Sequence, residues 1–158
     1  MSDQGEIIFA ASCVAIGGVA LAIEGAPGSG KSSLALALID RGAVLIGDDA
    51  VRLTRDSDRL LANPPPNIEG LLEVRGVGLF EMPLSAPCPL ALVLSLGTDG
   101  ERLPEDAQSR EILGVRVPAI AFTPGSIAPA LRAEMALSRF GIPHDRHRGL
   151  SHHSSPPQ

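Results

Sequence analysis

The sequence predicts an α/β P-loop fold, a mixed sheet with flanking helices and a β-rich middle. A glycine-rich segment at residues 25–32 stands between a strand-like apolar run and a helical pattern. Beyond it, short apolar runs alternate with turn residues. With 158 residues, of which 44% are hydrophobic, the chain can bury one full core. We therefore expect one domain over residues 1–142 and a disordered His/Ser/Pro-rich tail over residues 143–158.

The first third of the chain carries the α/β pattern. Residues 7–14 and 19–23 are apolar and flank Gly17-Gly18, which predicts a hairpin or two neighbouring strands. Residues 32–41 carry leucines at helical spacing and are followed by Gly42, which predicts a helix that ends there. Residues 43–46 then read as a short buried strand. Strand, glycine loop, helix and strand together predict a βαβ unit.

The remaining two thirds read mostly as strands. Residues 51–53 and 60–62 predict a hairpin, and the prolines at 64–66 exclude a central strand there. Further strands are expected at residues 71–74, 79–82, 90–96 and 119–122, with 90–96 central because it is almost entirely apolar. The charged segment 101–110 is expected to be exposed. Residues 127–140 predict a helix with Pro129 in its first turn and Gly141 closing it.

Composition excludes several classes of function. A net charge of −5, with four Phe and neither Tyr nor Trp, argues against general nucleic-acid binding. The two cysteines, Cys13 and Cys88, lack metal-ligand or disulfide-framework spacing, which suits a reducing compartment. The acidic start does not resemble a signal peptide, and no apolar run reaches the length of a membrane span. We expect a cytoplasmic protein with no membrane contact.

The glycine-rich segment has the spacing of a phosphate-binding loop. Glycines let backbone N–H groups turn toward phosphate oxygens, and the following helix N-terminus adds a favourable field. Lys31 is the single lysine of the chain, which argues against the alternative of a plain turn with a solvated lysine. It would reach the β/γ-phosphates, while the Ser32 hydroxyl would bind Mg²⁺. The predicted nucleotide-binding residues are Gly25, Ala26, Pro27, Gly28, Ser29, Gly30, Lys31, Ser32 and Ser33.

Two further segments supply acidic groups. Asp48 and Asp49 follow the strand after the helix, and ligands of open α/β sheets bind at the carboxyl ends of strands. One aspartate can hold Mg²⁺ and the other can accept a hydroxyl proton, the alternative being an exposed turn. Glu73 and Arg75 would share one face of a strand, as a site or as a surface ion pair. The nearby Gly76 and Gly78 favour close approach of a ligand or backbone.

These three segments resemble the P-loop, the paired aspartates and the Leu-Glu-Ile-Arg-Gly signature of HPr kinase/phosphorylase. The resemblance covers roughly residues 7–140, and the chain is similar to the short α-proteobacterial forms that have the catalytic domain only. It implies a fold like that of phosphoenolpyruvate carboxykinase. It also implies Mg²⁺ and ATP as cofactors, an HPr-like phosphocarrier as partner, inorganic phosphate as the reverse substrate, and a homo-oligomer, hexameric in the family.

The resemblance also implies roles for individual residues. Lys31 would bind the transferred phosphate, and Ser32, Asp49 and Glu73 would form the metal site. Asp48 would take the proton of the acceptor serine and return it in phosphorolysis. Arg75 would stabilise transition-state charge or hold the loop.

Three positions depart from the family pattern. Ala10 occupies the place of an upstream histidine, residues 123–127 lack the positive charge of a later basic loop, and Glu24 puts a carboxylate directly before the P-loop. A nucleotide-sensing module with little or no transfer activity therefore remains open. So does a P-loop kinase of a small metabolite, although no arginine-rich lid segment is evident.

Overall fold

Strands dominate the architecture, and the two helices cover one face of the larger sheet. The computed structural model describes residues 5–66, 70–97 and 108–143. In chain order, the elements are β1 (Glu6–Phe9), β2 (Ser12–Ile16), β3 (Val19–Glu24), α1 (Lys31–Asp40), β4 (Val44–Gly47), β5 (Val51–Asp56), β6 (Arg59–Asn63), β7 (Leu71–Val74), β8 (Gly78–Glu81), β9 (Cys88–Leu96), β10 (Gln108–Ile112), β11 (Val115–Phe122) and α2 (Pro129–Phe140). The predicted tail, apart from Pro143, and most of the charged segment lie outside these residues.

Nine strands form one mixed sheet, and β7 and β8 form a separate hairpin. The large sheet follows the order β1-β5-β6-β9-β3-β2-β4, while β11 pairs with β9 and carries β10 on its other side. The sheet forks at β9, whose first residues pair with β6 and whose last four pair with β11. Strand β9 is buried along most of its length, which confirms its predicted central position.

The predicted βαβ unit is confirmed, with one strand inserted. Strands β3 and β4 both pair antiparallel with β2, so they run parallel to each other on either side of it. The turn between β2 and β3 is Gly17-Gly18, and φ is positive at both residues, as a two-residue hairpin turn requires. The strand predicted over residues 7–14 is instead two strands, because β1 pairs with β5 rather than with β2.

Two buried layers follow from the alternation of strand side chains. On β3, Leu21 and Ile23 face the layer shared with Leu34 and Leu38 of α1. Ala20 and Ala22 point to the opposite layer, which is closed by β5, β6, β10 and β11. Cys13 and Cys88 are buried and free in this second layer, and burial raises the pKa of both thiols.

In the second half, the β10–β11 hairpin differs from the elements that the sequence predicts. Gln108–Ile112 is a strand, although Gln108 and Ser109 are exposed, as the sequence predicted for residues 101–110. Strand β11 begins at Val115, four residues before the predicted start. The hairpin turns at Leu113-Gly114, where both φ angles are positive. Helix α2 is confirmed, with Pro129 at its start, and the Ile142 N–H donates to the Ala91 carbonyl of β9 at 3.0 Å.

Candidate active site

The carboxyl ends of β3, β4, β9 and β11 share one edge of the large sheet, and the P-loop lies there between β3 and α1. Gly28 and Gly30 have φ of 83° and 104°, backbone conformations that residues other than glycine rarely adopt. A Cβ added at either would meet nothing within 4 Å, so the loop surface is open above them. Gly25 is different, because a Cβ there would lie 2.5 Å from the Ser29 Oγ. The loop thus packs tightly at its base and is open where phosphates would lie.

Lys31 folds back across this loop. Its Nζ donates to the Gly25 carbonyl at 2.9 Å and lies 3.6 Å from Asp49 Oδ1. The side chain is only 14% exposed, whereas that of Asp49 is 68% exposed. The ammonium group is therefore kept at the loop by weak and local partners that a phosphate can displace.

Asp48 accepts hydrogen bonds from three elements. Its Oδ1 accepts from the hydroxyl of Ser32 on α1 at 2.7 Å and from that of Ser12 on β2 at 2.8 Å. Its Oδ2 accepts a longer bond, 3.4 Å, from the Glu73 backbone N–H on β7. The structure thus brings Asp48 beside the P-loop helix, where the sequence predicted both aspartates, and adds Ser12. The Ser32 hydroxyl donates to Asp48, however, and not to Asp49, with which the resemblance grouped it in the metal site.

Asp49 occupies the next position with a different backbone and environment. Its φ is 67°, a left-handed conformation that aspartate tolerates better than most residues. Its N–H donates to the Ser12 Oγ at 3.3 Å, while its carboxylate points outward toward Lys31. The two adjacent aspartates therefore face different surroundings.

The β7–β8 hairpin places Glu73 and Arg75 beside the P-loop. Strand β7 ends at Val74, so Arg75 lies in the turn, and the prediction that both share one strand face was wrong. The turn closes with a hydrogen bond from the Val77 N–H to the Val74 carbonyl. Gly76 and Gly78 have positive φ, and a Cβ added at either would meet no protein atom within 4 Å, so they serve this turn rather than a close backbone approach.

A cavity of about 340 Å³ joins these groups. Its lining consists of Pro27, Gly28, Gly30, Lys31, Ser32, Ser33, Asp49, Glu73 and Arg75. Among the described residues, no group of three or more His, Cys, Asp or Glu could hold a metal ion. Mg²⁺ commonly binds one or two carboxylates together with substrate phosphates and water, so the oxygen donors of Ser32, Asp49 and Glu73 fit that mode.

Glu24 does not line this cavity. It accepts hydrogen bonds from Ser95 of β9, at 2.5 Å, and from Arg110 of β10, at 2.7 Å. Burial alone would raise the pKa of Glu24, but these hydrogen bonds and the Arg110 charge outweigh it and lower that pKa. The carboxylate that the sequence places before the P-loop is thus directed away from the cavity and is paired with Arg110.

The uncharged loop at residues 123–127 is fixed by Arg132 of α2. The guanidinium donates to the carbonyls of Thr123, Pro124 and Ile127 and lies 5.1 Å from the ring centroid of Phe122. Its hydrogen-bonding capacity is therefore used within the chain.

Sequence reasoning missed Ser12, the Glu24–Ser95–Arg110 group and the Arg132 contacts. Only Ser12 left a trace in the sequence, as a hydroxyl inside an otherwise apolar segment. The partners of Glu24 and Arg132 depend on strand pairing and loop path, which carry no local pattern.

Comparisons with known proteins agree with this geometry. The family model of the HPr Serine kinase C-terminal domain matches residues 5–85, just over half of the chain. The HPr kinase/phosphorylase of Clostridium tetani is 34% identical over 79% of this chain and 46% of its own length. That of Cupriavidus metallidurans is 40% identical over 63% of this chain and 35% of its own length. The chain spans less than half the length of these curated relatives.

A solved structure, the HPr(Ser) kinase/phosphatase of Coxiella burnetii, matches with a TM-score of 0.73 and 26% identity. The match covers 94% of this chain and 95% of that chain. This likeness confirms the predicted P-loop α/β fold. No helix in the described ranges is long and apolar enough to cross a membrane. By its match to the family model and to these relatives, the chain belongs to the HPr serine kinase C-terminal domain family.

Proposed function

We propose that this chain is the catalytic domain of a Mg²⁺-dependent kinase that transfers the γ-phosphoryl group of ATP to a serine of an HPr-like phosphocarrier. The observation that carries the proposal is the cavity over the P-loop. It joins Lys31, Ser32, Asp49, Glu73 and Arg75, and Ser32 is bonded to Asp48 behind it. The names of the relatives support the identity of the acceptor.

Nucleotide binding follows from the loop. Backbone N–H groups of the loop and the N-terminus of α1 would bind the phosphates, and Gly28 and Gly30 leave the space above the loop open. Lys31 exchanges the Gly25 carbonyl and Asp49 for phosphate oxygens, which are stronger partners for an ammonium group.

The metal would be held by Ser32, Asp49 and Glu73 together with the phosphates. When bound, Mg²⁺ would neutralise charge that develops on the phosphates during transfer. The Ser32 hydroxyl suits the role of a metal ligand, because it donates a hydrogen bond to Asp48 and its oxygen lone pairs remain available.

Transfer itself needs one proton acceptor and a fixed geometry. The serine oxygen of the acceptor attacks the γ-phosphorus, the bond to the ADP oxygen breaks, and the serine proton passes to Asp48. We assign that proton to Oδ2, because Oδ1 already accepts two hydroxyl hydrogen bonds. In the reverse direction, inorganic phosphate attacks the phosphorus of phosphoserine, the serine oxygen leaves with the proton from Asp48, and pyrophosphate is released. Arg75 would stabilise the equatorial oxygens.

A transfer assay tests the proposal directly. Purified chain, Mg²⁺-ATP and the HPr of the same organism are mixed, and the carrier is analysed by mass spectrometry for phosphoserine. Two controls accompany it, the Lys31→Ala chain and a carrier whose acceptor serine is alanine. Phosphorylation that requires both native proteins supports the proposal.

A second candidate function is a nucleotide-sensing module. It is favoured by one observation at the loop over residues 123–127, which lacks the basic residues of the family pattern. The nearby Arg132 donates its hydrogen bonds to carbonyls of that loop and so does not replace them. Tight Mg²⁺-ATP binding without phosphoserine would support this alternative. Transfer to a small metabolite in a panel of candidate acceptors, with none to HPr, would support a metabolite kinase.

A further inference from the structure

We propose that Ser12 is a positioning residue that orients Asp48 and the backbone of Asp49 for the metal and acceptor chemistry. Its effect on transfer rests on the proposed function above, whereas its effect on Mg²⁺-dependent nucleotide binding does not require transfer. The hydroxyl donates to Asp48 Oδ1 at 2.8 Å and accepts from the Asp49 N–H at 3.3 Å.

The burial of Ser12 indicates that this hydroxyl has a specific task. Ser12 and Asn63 are the two buried polar residues among those that the structure describes, and Ser12 is 0% exposed. Asn63 donates to its own strand and to neighbouring β5, so its contacts hold the sheet together. Both contacts of Ser12, in contrast, are to the aspartate pair at the cavity.

The position of Ser12 follows from the sheet. Strand β2 runs antiparallel to β3 and β4, so its first residue lies at the edge where those strands end. The pairing of β2 with β4 shifts register between Cys13 and Val14, one residue beyond Ser12. Such bulges redirect side chains beside active sites. This irregularity lies beside the end of β4, which Asp48 directly follows.

The hydrogen bonds of Ser12 determine which oxygen of Asp48 remains available. With Ser12 and Ser32 both donating to Oδ1, the carboxylate plane is fixed from two sides. Oδ2 then has a single long contact, to the Glu73 N–H. Without Ser12, the carboxylate would be held at Oδ1 by Ser32 alone, and the Asp49 N–H would lose the acceptor that supports its left-handed turn.

A matched pair of variants separates the hydroxyl from the volume of the side chain. Ser12→Thr keeps the hydroxyl. Ser12→Val has the same shape as Ser12→Thr but carries a methyl group in place of that hydroxyl. Two quantities are measured for each: the Mg²⁺ concentration that half-saturates binding of a fluorescent ATP analogue, and the rate of transfer to HPr. Loss of a residue that orients a metal-site group typically costs about 10- to 100-fold in metal affinity or activity.

We expect Ser12→Val to raise the half-saturating Mg²⁺ concentration about tenfold and to lower kcat about 10- to 100-fold, with a smaller change in KM for the carrier. Ser12→Thr should restore both quantities toward the native values. Ser12→Ala adds no volume and should show the same loss as Ser12→Val, which covers the case in which the added methyl group prevents folding. Asn63→Leu controls for loss of stability, because it removes a buried polar group away from the cavity.

Native values for Ser12→Ala, or equal and near-native values for Ser12→Thr and Ser12→Val in the Mg²⁺ titration, would overturn the assignment. Absence of transfer by the native chain would instead count against the proposed function, and the Mg²⁺ titration would still decide the role of Ser12.

Discussion

Two groups of residues at the same sheet edge differ in how firmly the protein holds them. The inner network consists of Ser12, Ser32 and Asp48, in which both hydroxyls donate to the Asp48 carboxylate. The outer group consists of Lys31, Asp49, Glu73 and Arg75, which line the cavity. Apart from Lys31, the outer side chains are exposed. The comparison indicates that the protein itself fixes the inner network, whereas the outer side chains have few protein partners.

The largest effect is expected from the outer group. Lys31→Ala should nearly abolish nucleotide-dependent activity, because no second lysine exists to replace its charge on the phosphates. Its protein partners are a carbonyl and a long contact to an exposed carboxylate, so the melting temperature should change little. Calorimetric titration with Mg²⁺-ATP, a transfer assay and a thermal melt measure the three quantities. Native ATP affinity and turnover in this variant would refute the P-loop assignment.

The next effect separates the inner from the outer aspartate. Asp48→Asn should keep Mg²⁺-ATP binding and lower transfer by about 10²-fold or more, the usual size of a general-base contribution. Asp49→Asn should instead weaken Mg²⁺ binding. Titration calorimetry beside the transfer assay distinguishes the two. The reverse pattern would mean that Asp48 binds the metal and that Asp49 accepts the proton. The two variants test this point directly, because Ser32, a proposed metal ligand, is hydrogen-bonded to Asp48.

The fold, the P-loop with Lys31 and the aspartate pair were largely predictable because their signals are local, whereas the strand placement predicted for Arg75 was wrong. The P-loop, the leucine spacing of α1 and the apolar run of β9 each lie within one continuous segment. The inner network was only half predictable, because Ser12 is 36 residues from Asp48 and meets it through the pairing of β2 with β4. Strand β10 was missed for a similar reason, since its polar residues become a strand only by pairing with β11.

A smaller effect concerns stability rather than activity. The Glu24–Arg110 pair, with Glu24 22% exposed, is more buried than the Lys31–Asp49 pair, whose carboxylate is 68% exposed. Glu24→Gln should therefore lower the free energy of unfolding at pH 7 by about 1 kcal/mol, once solvent screening at Arg110 is allowed for. Glu6→Gln in the exposed pair with Arg52 is the matched control and should have a smaller effect.

The pH dependence of that difference follows from the lowered pKa of Glu24. A carboxylate whose pKa is lowered on folding contributes stability above its ordinary value of 4.5. This contribution is lost as the pH falls through the lower folded value. Urea unfolding at several pH values should therefore show the native and Glu24→Gln curves converging below about pH 4.5. A difference that persists unchanged at acid pH would show that Glu24 acts through packing and not through its charge.

The smallest effect concerns charge at the carrier surface. Three arginines, Arg110, Arg116 and Arg132, are candidates for binding a carrier in place of the missing basic loop. Arg110 pairs with Glu24, and Arg132 donates hydrogen bonds to loop carbonyls. Arg116 is exposed but lies near the start of β11, six residues from Phe122 at the active-site edge, a distance of roughly 20 Å along a strand. Arg75 lines the cavity, and we expect it to contact the carrier there.

We accordingly expect transfer to HPr to fall modestly as ionic strength rises from low to physiological, while Mg²⁺-ATP binding changes less. Exposed charges act mainly on the association rate, which salt screens. Arg75→Gln should flatten the salt dependence of kcat/KM for the carrier, and Arg116→Gln, the control of equal charge change, should leave its slope as in the native chain. A slope flattened by Arg116→Gln alone would place the carrier on the β10–β11 side and remove Arg75 from the recognition surface.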